Sequence, residues 1–132
     1  MTKDEALKKI LEQSKAGLLG ALHPEVGCVY RQGQKHCAIG CLLTEQQLDE
    51  IEQDGNDGFS ALELYKYSFA RELGLTDRQM SAVQNWHDHA YQALPREVTK
   101  QDFEDVLEGL ISGEITVIAD TPAFHYDYRV RF

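Results

Sequence analysis

The chain has 132 residues, 42% of them hydrophobic and 27% charged, which is ordinary for one globular domain with its own core. No segment approaches the ~18 consecutive apolar residues that a membrane span requires, and the charged N-terminal segment lacks the apolar stretch of a signal peptide, so we expect one cytoplasmic domain over residues 1–132. Twenty-two acidic against thirteen basic residues give a formal charge of −9, which disfavours direct binding to nucleic acid and to anionic membranes and suits a protein partner with a basic surface.

Four to five helices are predicted along the chain. The first covers residues 4–22, where leucine and isoleucine recur with helical spacing. Most of the later ones begin with a capping box, in which a Ser or Thr hydroxyl and the side chain three residues later bond to the first free amides. These later helices begin after Thr44, Ser60, Thr76 and Thr99, and we expect them to end near residue 53, Gly74, Leu94 and Gly113.

All three cysteines lie between the first two helices, in a segment that predicts a β-hairpin followed by a short helical turn. Gln32-Gly33 separates two short runs with strand character, so we expect a hairpin over residues 28–37 with Gly33 at the second turn position. That register places Cys28 directly opposite Cys37. If the next residues are helical, Cys41 lies one turn after Cys37 and points the same way, which predicts a cluster of three cysteines.

The C-terminal segment changes from helical to strand patterning. Residues 115–118 are rich in β-branched side chains, and residues 124–132 alternate between aromatic or β-branched and polar side chains. We expect a hairpin over residues 115–132 that forms one small antiparallel sheet with the hairpin over residues 28–37. Packed against the helices, this sheet would complete a single-domain α+β fold.

The first candidate site is a cysteine nucleophile. Cys37 could be activated by a histidine, since the thiolate is the attacking species and an imidazole can take up its proton. His87 faces inward on its helix, but neighbouring helix positions diverge by about 100°, so Asp88 is poorly placed to orient it. His125 and Asp127 are better related, because residues two apart on a strand share a face. The competing interpretation is structural: a buried Cys37 and a hydrogen-bonded core histidine at position 87.

The second candidate is a zinc site, because Zn²⁺ takes four nitrogen or sulphur ligands in a tetrahedron. The C-x8-C-x3-C spacing contains no CxxC pair, so this interpretation depends on the inferred hairpin register. No cofactor is otherwise predicted. The candidate ligands are Cys28, Cys37, Cys41 and one of His36, His87 or His89.

Three sequence blocks together resemble a group of short proteins from tailed-phage, prophage and bacterial genomes. The blocks are Cys28-x-Tyr30-Arg31, Cys37-Ala38-Ile39-Gly40-Cys41-Leu42-Leu43 and Trp86-His87-Asp88. Members of that group carry Cys-Ala-Ile/Val-Gly-Cys/Ala-Leu followed by His-Asp or Trp-Asn-Asp, and the resemblance covers roughly residues 28–90. It implies a small accessory protein of phage or mobile-element type, with Cys37 and His87-Asp88 as the signature positions, and it implies no activity.

Two functions from different classes follow. As a binding protein, the chain would contact a host or defence protein through its acidic surface, with the Cys-Ala-Ile-Gly block buried as structure; this is the favoured hypothesis. As an enzyme, it would use Cys37 with His87 or His125 to attack an acyl or amide carbonyl, which requires an accessible thiol of lowered pKa.

Overall fold

The computed structural model of the chain describes residues 1–23, 27–56, 58, 60–91, 98–122 and 128–132, and it is an α+β domain as expected. The longer helices of the described residues are α1 (Lys3–Lys15), α2 (Glu45–Gln53), α5 (Asp77–Tyr91) and α6 (Lys100–Ser112). Two helices have a single turn, α3 (Ala61–Leu64) and α4 (Ser68–Arg71), and residues Gly40–Leu42 form a 3-10 turn. The strands are β1 (Leu22–His23), β2 (Gly27–Cys28), β3 (Arg31–Gln32), β4 (Lys35–His36), β5 (Val117–Ala119) and β6 (Arg129–Arg131).

The strands form three separate antiparallel pairs, β1 with β2, β3 with β4, and β5 with β6. The two predicted hairpins therefore exist, but no ladder between described strands joins them into the one sheet that we expected. The reason lies in their packing, since β3 contacts β1 whereas β6 contacts α5. Strands of two or three residues expose little edge, and each hairpin is covered by a different part of the domain.

The first hairpin has its turn one residue later than predicted, at Gly33–Gln34. Arg31 pairs with His36 and Gln32 with Lys35. Gly33, the first central residue of the turn, has φ +61°. Gln34, the second, does not have a positive φ, because among the described residues only glycines do. The turn is therefore of type II′ and not of type I′. The predicted Cys28–Cys37 pairing is therefore wrong, because Cys28 pairs with Leu22 in the β1–β2 ladder instead.

Two helices are shorter than predicted. The first ends at Lys15, because Gly17 takes φ +74° and redirects the chain into β1. The segment expected as one helix after Ser60 forms α3 and α4, since Tyr67 adopts an extended conformation between them. Tyr67 and Phe69 stack with ring centroids 4.9 Å apart, a contact between residues two apart that a continuous helix would not allow.

The other predicted helix starts are found, but at Ser60 the hydroxyl accepts from the Glu63 amide without the reciprocal bond of a capping box. Thr44 and Thr99 make the expected capping boxes of α2 and α6, and Gly113 ends α6 with φ +85°. The predicted helix end near Leu94 and the alternating residues 124–127 lie outside the described residues. Helices α1, α5 and α6 pack together, and α1 also contacts the 3-10 turn, so the cysteine segment lies inside the domain.

Candidate functional site

The segment from Cys37 to Leu43 is built into the core. Cys37, Ala38 and Ile39 are fully buried, Gly40 is buried, and Cys41, Leu42 and Leu43 are at most 6% exposed. Gly40 allows this packing, because a Cβ atom at that position would lie 2.2 Å from the carbonyl oxygen of Tyr30. The glycine of the Cys-Ala-Ile-Gly block is thus required by the close approach of two backbone segments.

The Cys37 thiol is enclosed and hydrogen-bonded by its own segment. The Gly40 amide donates to Sγ at 3.2 Å, and the Cys37 amide donates to the Tyr30 carbonyl at 3.0 Å. Burial raises the pKa of Cys37 well above its usual range, and the negative charge of Asp88 adds to that shift. A thiol in this environment stays protonated near neutral pH and is a poor nucleophile.

Cys41 is also buried, and its thiol is poorly suited to bind a metal ion. Its thiol donates to the Ala38 carbonyl at 3.0 Å, and burial raises its pKa to about 12. Within the described part of the chain, no group of three histidine, cysteine or acidic side chains could hold a metal ion. The third cysteine of the zinc hypothesis, Cys28, has a side chain outside that description.

His87 is fully buried on α5, and both of its ring nitrogens are hydrogen-bonded. The Gly20 amide donates to Nε2 at 3.1 Å, so the ring proton lies on Nδ1, which contacts the Asp88 carboxylate at 2.8 Å. The ring also stacks on Tyr91, with centroids 4.8 Å apart. The expectation that Asp88 is poorly placed to orient His87 is therefore wrong, because the short Asp side chain folds back to the neighbouring ring.

Gln84 connects this histidine to the cysteine segment. It accepts a hydrogen bond from the Ile39 amide at 3.2 Å and donates to the Asp88 carboxylate at 2.6 Å. Gln84 was not singled out from the sequence, although it lies one helical turn from His87. Because it is fully buried, its side-chain amide needs hydrogen-bond partners inside the domain. Cys37, Gln84, His87 and Asp88 are called the Cys37–His87 cluster below.

The Cys37–His87 cluster is arranged for packing rather than for proton transfer. Among the described residues, no hydrogen bond joins the Cys37 thiol to a nitrogen of His87, whose ring nitrogens contact Gly20, Gln84 and Asp88. The alternative partners of Cys37, His125 and Asp127, lie outside the described residues. Two polar atoms of the cluster instead hold other backbone segments against α5, since His87 Nε2 accepts from the Gly20 amide and Gln84 Oε1 from the Ile39 amide.

A second polar cluster, not singled out from the sequence, surrounds Arg31. Its guanidinium bonds Glu52 at 2.9 Å through two nitrogens and also contacts Glu45 and Asp49, all on α2. These contacts raise the pKa of Arg31 further above its usual value, with Glu52 the largest cause. This Arg31 cluster ties the β3–β4 hairpin to α2. Its sequence signal was the i, i+4, i+7 spacing of the three acidic residues.

A third polar region is a half-open cleft between α5 and the C-terminal strand, called the α5–β6 cleft below. It has a volume of about 240 Å³. Sequence reasoning missed it, because no motif marks residues that α5 and β6 bring together from distant parts of the chain. Its polar lining consists of Arg78, Ser81, Asn85, Asp120, Tyr128 and Arg129.

No protein-family model matches the chain, and no curated protein or solved structure shows significant similarity to it. In the described part of the chain, no helix is both long and apolar enough to cross a bilayer. Function therefore has to be argued from the three polar regions themselves.

Proposed function

We propose that this chain is a small accessory protein that acts by binding another protein, in a phage-like or mobile-element setting in the cytoplasm. The observation that carries the proposal is the complete burial of Cys37 and His87. Because the most distinctive residues of the sequence are used inside the core, the function is left to the surface. A cysteine hydrolase would need a solvent-reachable thiolate beside a free imidazole nitrogen.

The acidic surface indicates a partner with a basic contact region. Between residues 45 and 63 the sequence contains no lysine or arginine. Helix α2 lies in this stretch, with Glu50 exposed on the helix and Asp54 exposed at its C-cap. The Arg31 cluster fixes the orientation of α2 against the β3–β4 hairpin. The acidic residues of the stretch are Glu45, Asp49, Glu50, Glu52, Asp54, Asp57 and Glu63.

A matched pair of charge variants tests the proposal, with an immobilised lysine- and arginine-rich peptide as the probe. Glu50→Gln with Asp54→Asn removes two exposed charges, one on α2 and one at its C-cap. Glu12→Gln with Glu114→Gln removes two exposed charges elsewhere. Since an exposed charge pair contributes ~0.2–1 kcal/mol, we expect the α2 variant to weaken binding roughly 2- to 30-fold and the control to change it much less. Equal weakening in both would contradict a defined binding face.

The enzyme alternative is tested separately by alkylation of the folded protein. A Cys28→Ala background leaves only the two buried thiols. We expect neither to react with iodoacetamide until the protein unfolds, because burial raises the pKa of both. Fast modification of Cys37 in the native state would overturn the proposal in favour of the cysteine-hydrolase hypothesis.

A further inference from the structure

The α5–β6 cleft is built from two elements that present their polar side chains to the same space. Arg78, Ser81 and Asn85 recur along α5 with the spacing of one helix face. Arg129 lies on β6, beside the buried Val130 that anchors the strand. The Asn85 side-chain amide donates to the Asp120 carbonyl at 2.8 Å, which ties α5 to the residue that follows β5.

Two arginines line this cleft without an acidic partner among the described residues. Neither the Arg78 nor the Arg129 guanidinium makes an ion pair or a side-chain hydrogen bond there, although acidic residues outnumber basic ones 22 to 13. By contrast, Arg31 binds three carboxylates. Guanidinium groups that share a cleft bind phosphate and carboxylate groups through paired N–H donors.

Asp120 places a hydrogen-bond acceptor in the same cleft as the two arginine donors. Its amide donates to the Tyr128 carbonyl at 2.9 Å, which fixes the residue, yet its Oδ1 is buried with no hydrogen-bond donor among the described residues. A buried acceptor without a partner is costly and calls for a donor from elsewhere. A ligand N–H group entering the cleft would provide it.

Tyr128 provides a flat surface at the mouth. Its side chain is 79% exposed, the most exposed large aromatic among the described residues. Phenol rings in such positions stack on planar ligand rings, as in nucleic-acid-binding proteins, where each stacked base contributes about 1–3 kcal/mol. The volume of about 240 Å³ is smaller than a typical drug-sized pocket, so part of a ligand would protrude toward this ring.

We infer that the α5–β6 cleft is a binding site for a purine nucleoside monophosphate, with guanine as the base. The phosphate would bind between Arg78 and Arg129. The guanine N1–H and N2–H groups would donate hydrogen bonds to the Asp120 carboxylate. The base would stack on Tyr128. Guanine fits better than adenine because it places two donors side by side, which one carboxylate can accept together.

The test is a calorimetric titration of the full chain with guanosine monophosphate, adenosine monophosphate, guanosine and inorganic phosphate. We expect saturable binding of guanosine monophosphate at micromolar to millimolar concentration, tighter than any of the other three. Absence of saturable binding up to millimolar concentration would overturn the inference. Equal binding of adenosine monophosphate would overturn the guanine assignment, and equal binding of inorganic phosphate would overturn the nucleotide class.

Three variants separate the contributions, and unchanged thermal midpoints without ligand establish that each is folded. Arg129→Gln should weaken guanosine monophosphate about tenfold or more and barely change guanosine, since it removes a phosphate contact. Asp120→Asn should weaken guanosine monophosphate by a similar factor and leave phosphate unchanged. Arg131→Gln, on the same strand but outside the cleft lining, is the control and should leave both affinities unchanged. If the control weakens binding as much as Arg129→Gln, the cleft is not the site.

Discussion

Helix α5 contributes to two polar regions that differ in where their partners come from. On one face, Gln84, His87 and Asp88 find every partner inside the domain, on Ile39, Gly20 and one another. On the neighbouring face, Arg78 lines an open cleft and makes no side-chain bond among the described residues. The comparison teaches that a polar side chain is chemically available only when the fold leaves its bonding capacity unused.

The two regions also differ in how visible they are in the sequence. The Cys37–His87 cluster carries the most distinctive motif of the chain, yet Cys37, Gln84 and His87 are fully buried. The α5–β6 cleft has no motif, yet it holds two arginines and an acceptor without a described partner. A distinctive motif here marks exacting packing, which restricts residue choice as strongly as catalysis does.

The largest effect expected is at Gly40, where the enclosed character of the cluster can be broken directly. Gly40→Ala places a methyl group 2.2 Å from the Tyr30 carbonyl oxygen, so we expect a loss of about 3 kcal/mol or more in the free energy of unfolding, measured with urea. Gly55→Ala is the control, since nothing lies within 4 Å of a Cβ there and only its positive φ of 83° costs about 1 kcal/mol. Equal losses would mean that the cysteine segment can move and the cluster is not closed.

His87 tests whether the cluster is structural at its polar centre. His87→Ala removes a fully buried ring that accepts from Gly20 and stacks on Tyr91, so we expect a loss of about 3 kcal/mol. His89→Ala, on the same helix and only partly buried, should cost about 0.5 kcal/mol. Chemical denaturation of both variants measures the difference. A small loss of unfolding free energy in His87→Ala would contradict a structural role and favour the catalytic hypothesis for His87.

Arginine substitutions sharpen the comparison between used and unused bonding capacity. Arg31→Gln breaks a network of three carboxylates around a side chain that is 20% exposed, so we expect a loss of about 2 kcal/mol. Arg129→Gln should change the free energy of unfolding by no more than about 0.5 kcal/mol. If Arg129→Gln destabilised the protein as much as Arg31→Gln, the cleft arginines would be structural and not free for a ligand.

The pH dependence of stability measures how closed the thiol environment is. Because burial raises the pKa of Cys37 in the folded state, the folded protein holds that proton more tightly than the unfolded chain. Its stabilising contribution is complete below the unfolded pKa of about 8.5 and falls by about 1.4 kcal/mol per pH unit above it.

The measurement compares the Cys28→Ala protein with the same protein carrying Cys37→Ala, by urea unfolding at a series of alkaline pH values. The second protein should show a slope smaller by the contribution of one thiol. Identical slopes would mean that the Cys37 thiol ionises as readily in the folded protein as in the unfolded chain, contrary to an enclosed cluster.

The sequence predicted those elements whose signals are local. The capping residues Thr44 and Thr99 and the helix-ending Gly113 act within a few residues of themselves, and α2 and α6 are found as expected. The hairpin register was missed because Gly33 suits either central turn position, and only the packing of the flanking strands decides between them. The split between α3 and α4 arises from aromatic side chains that pack in tertiary contacts.

The candidate sites were less predictable than the fold. That Cys37 and His87 could be structural was one of the sequence interpretations. The Gly20 amide that bonds to His87 comes from a distant segment with no recognisable relation to it, and so does the Ile39 amide that bonds to Gln84. The α5–β6 cleft joins residues more than forty positions apart, Arg78 and Arg129, and contact at that separation leaves no pattern in a single sequence.

Trp86 gives this protein a built-in optical reporter. It is the only tryptophan in the chain, and its indole N–H donates to the Ala119 carbonyl at 2.8 Å, which joins α5 to β5. Its fluorescence therefore responds to the attachment of the C-terminal hairpin as well as to unfolding of the whole domain. Detachment of that hairpin would change the emission maximum while the far-ultraviolet signal of the helices stayed constant, so the two ends of the fold can be followed separately in one cuvette.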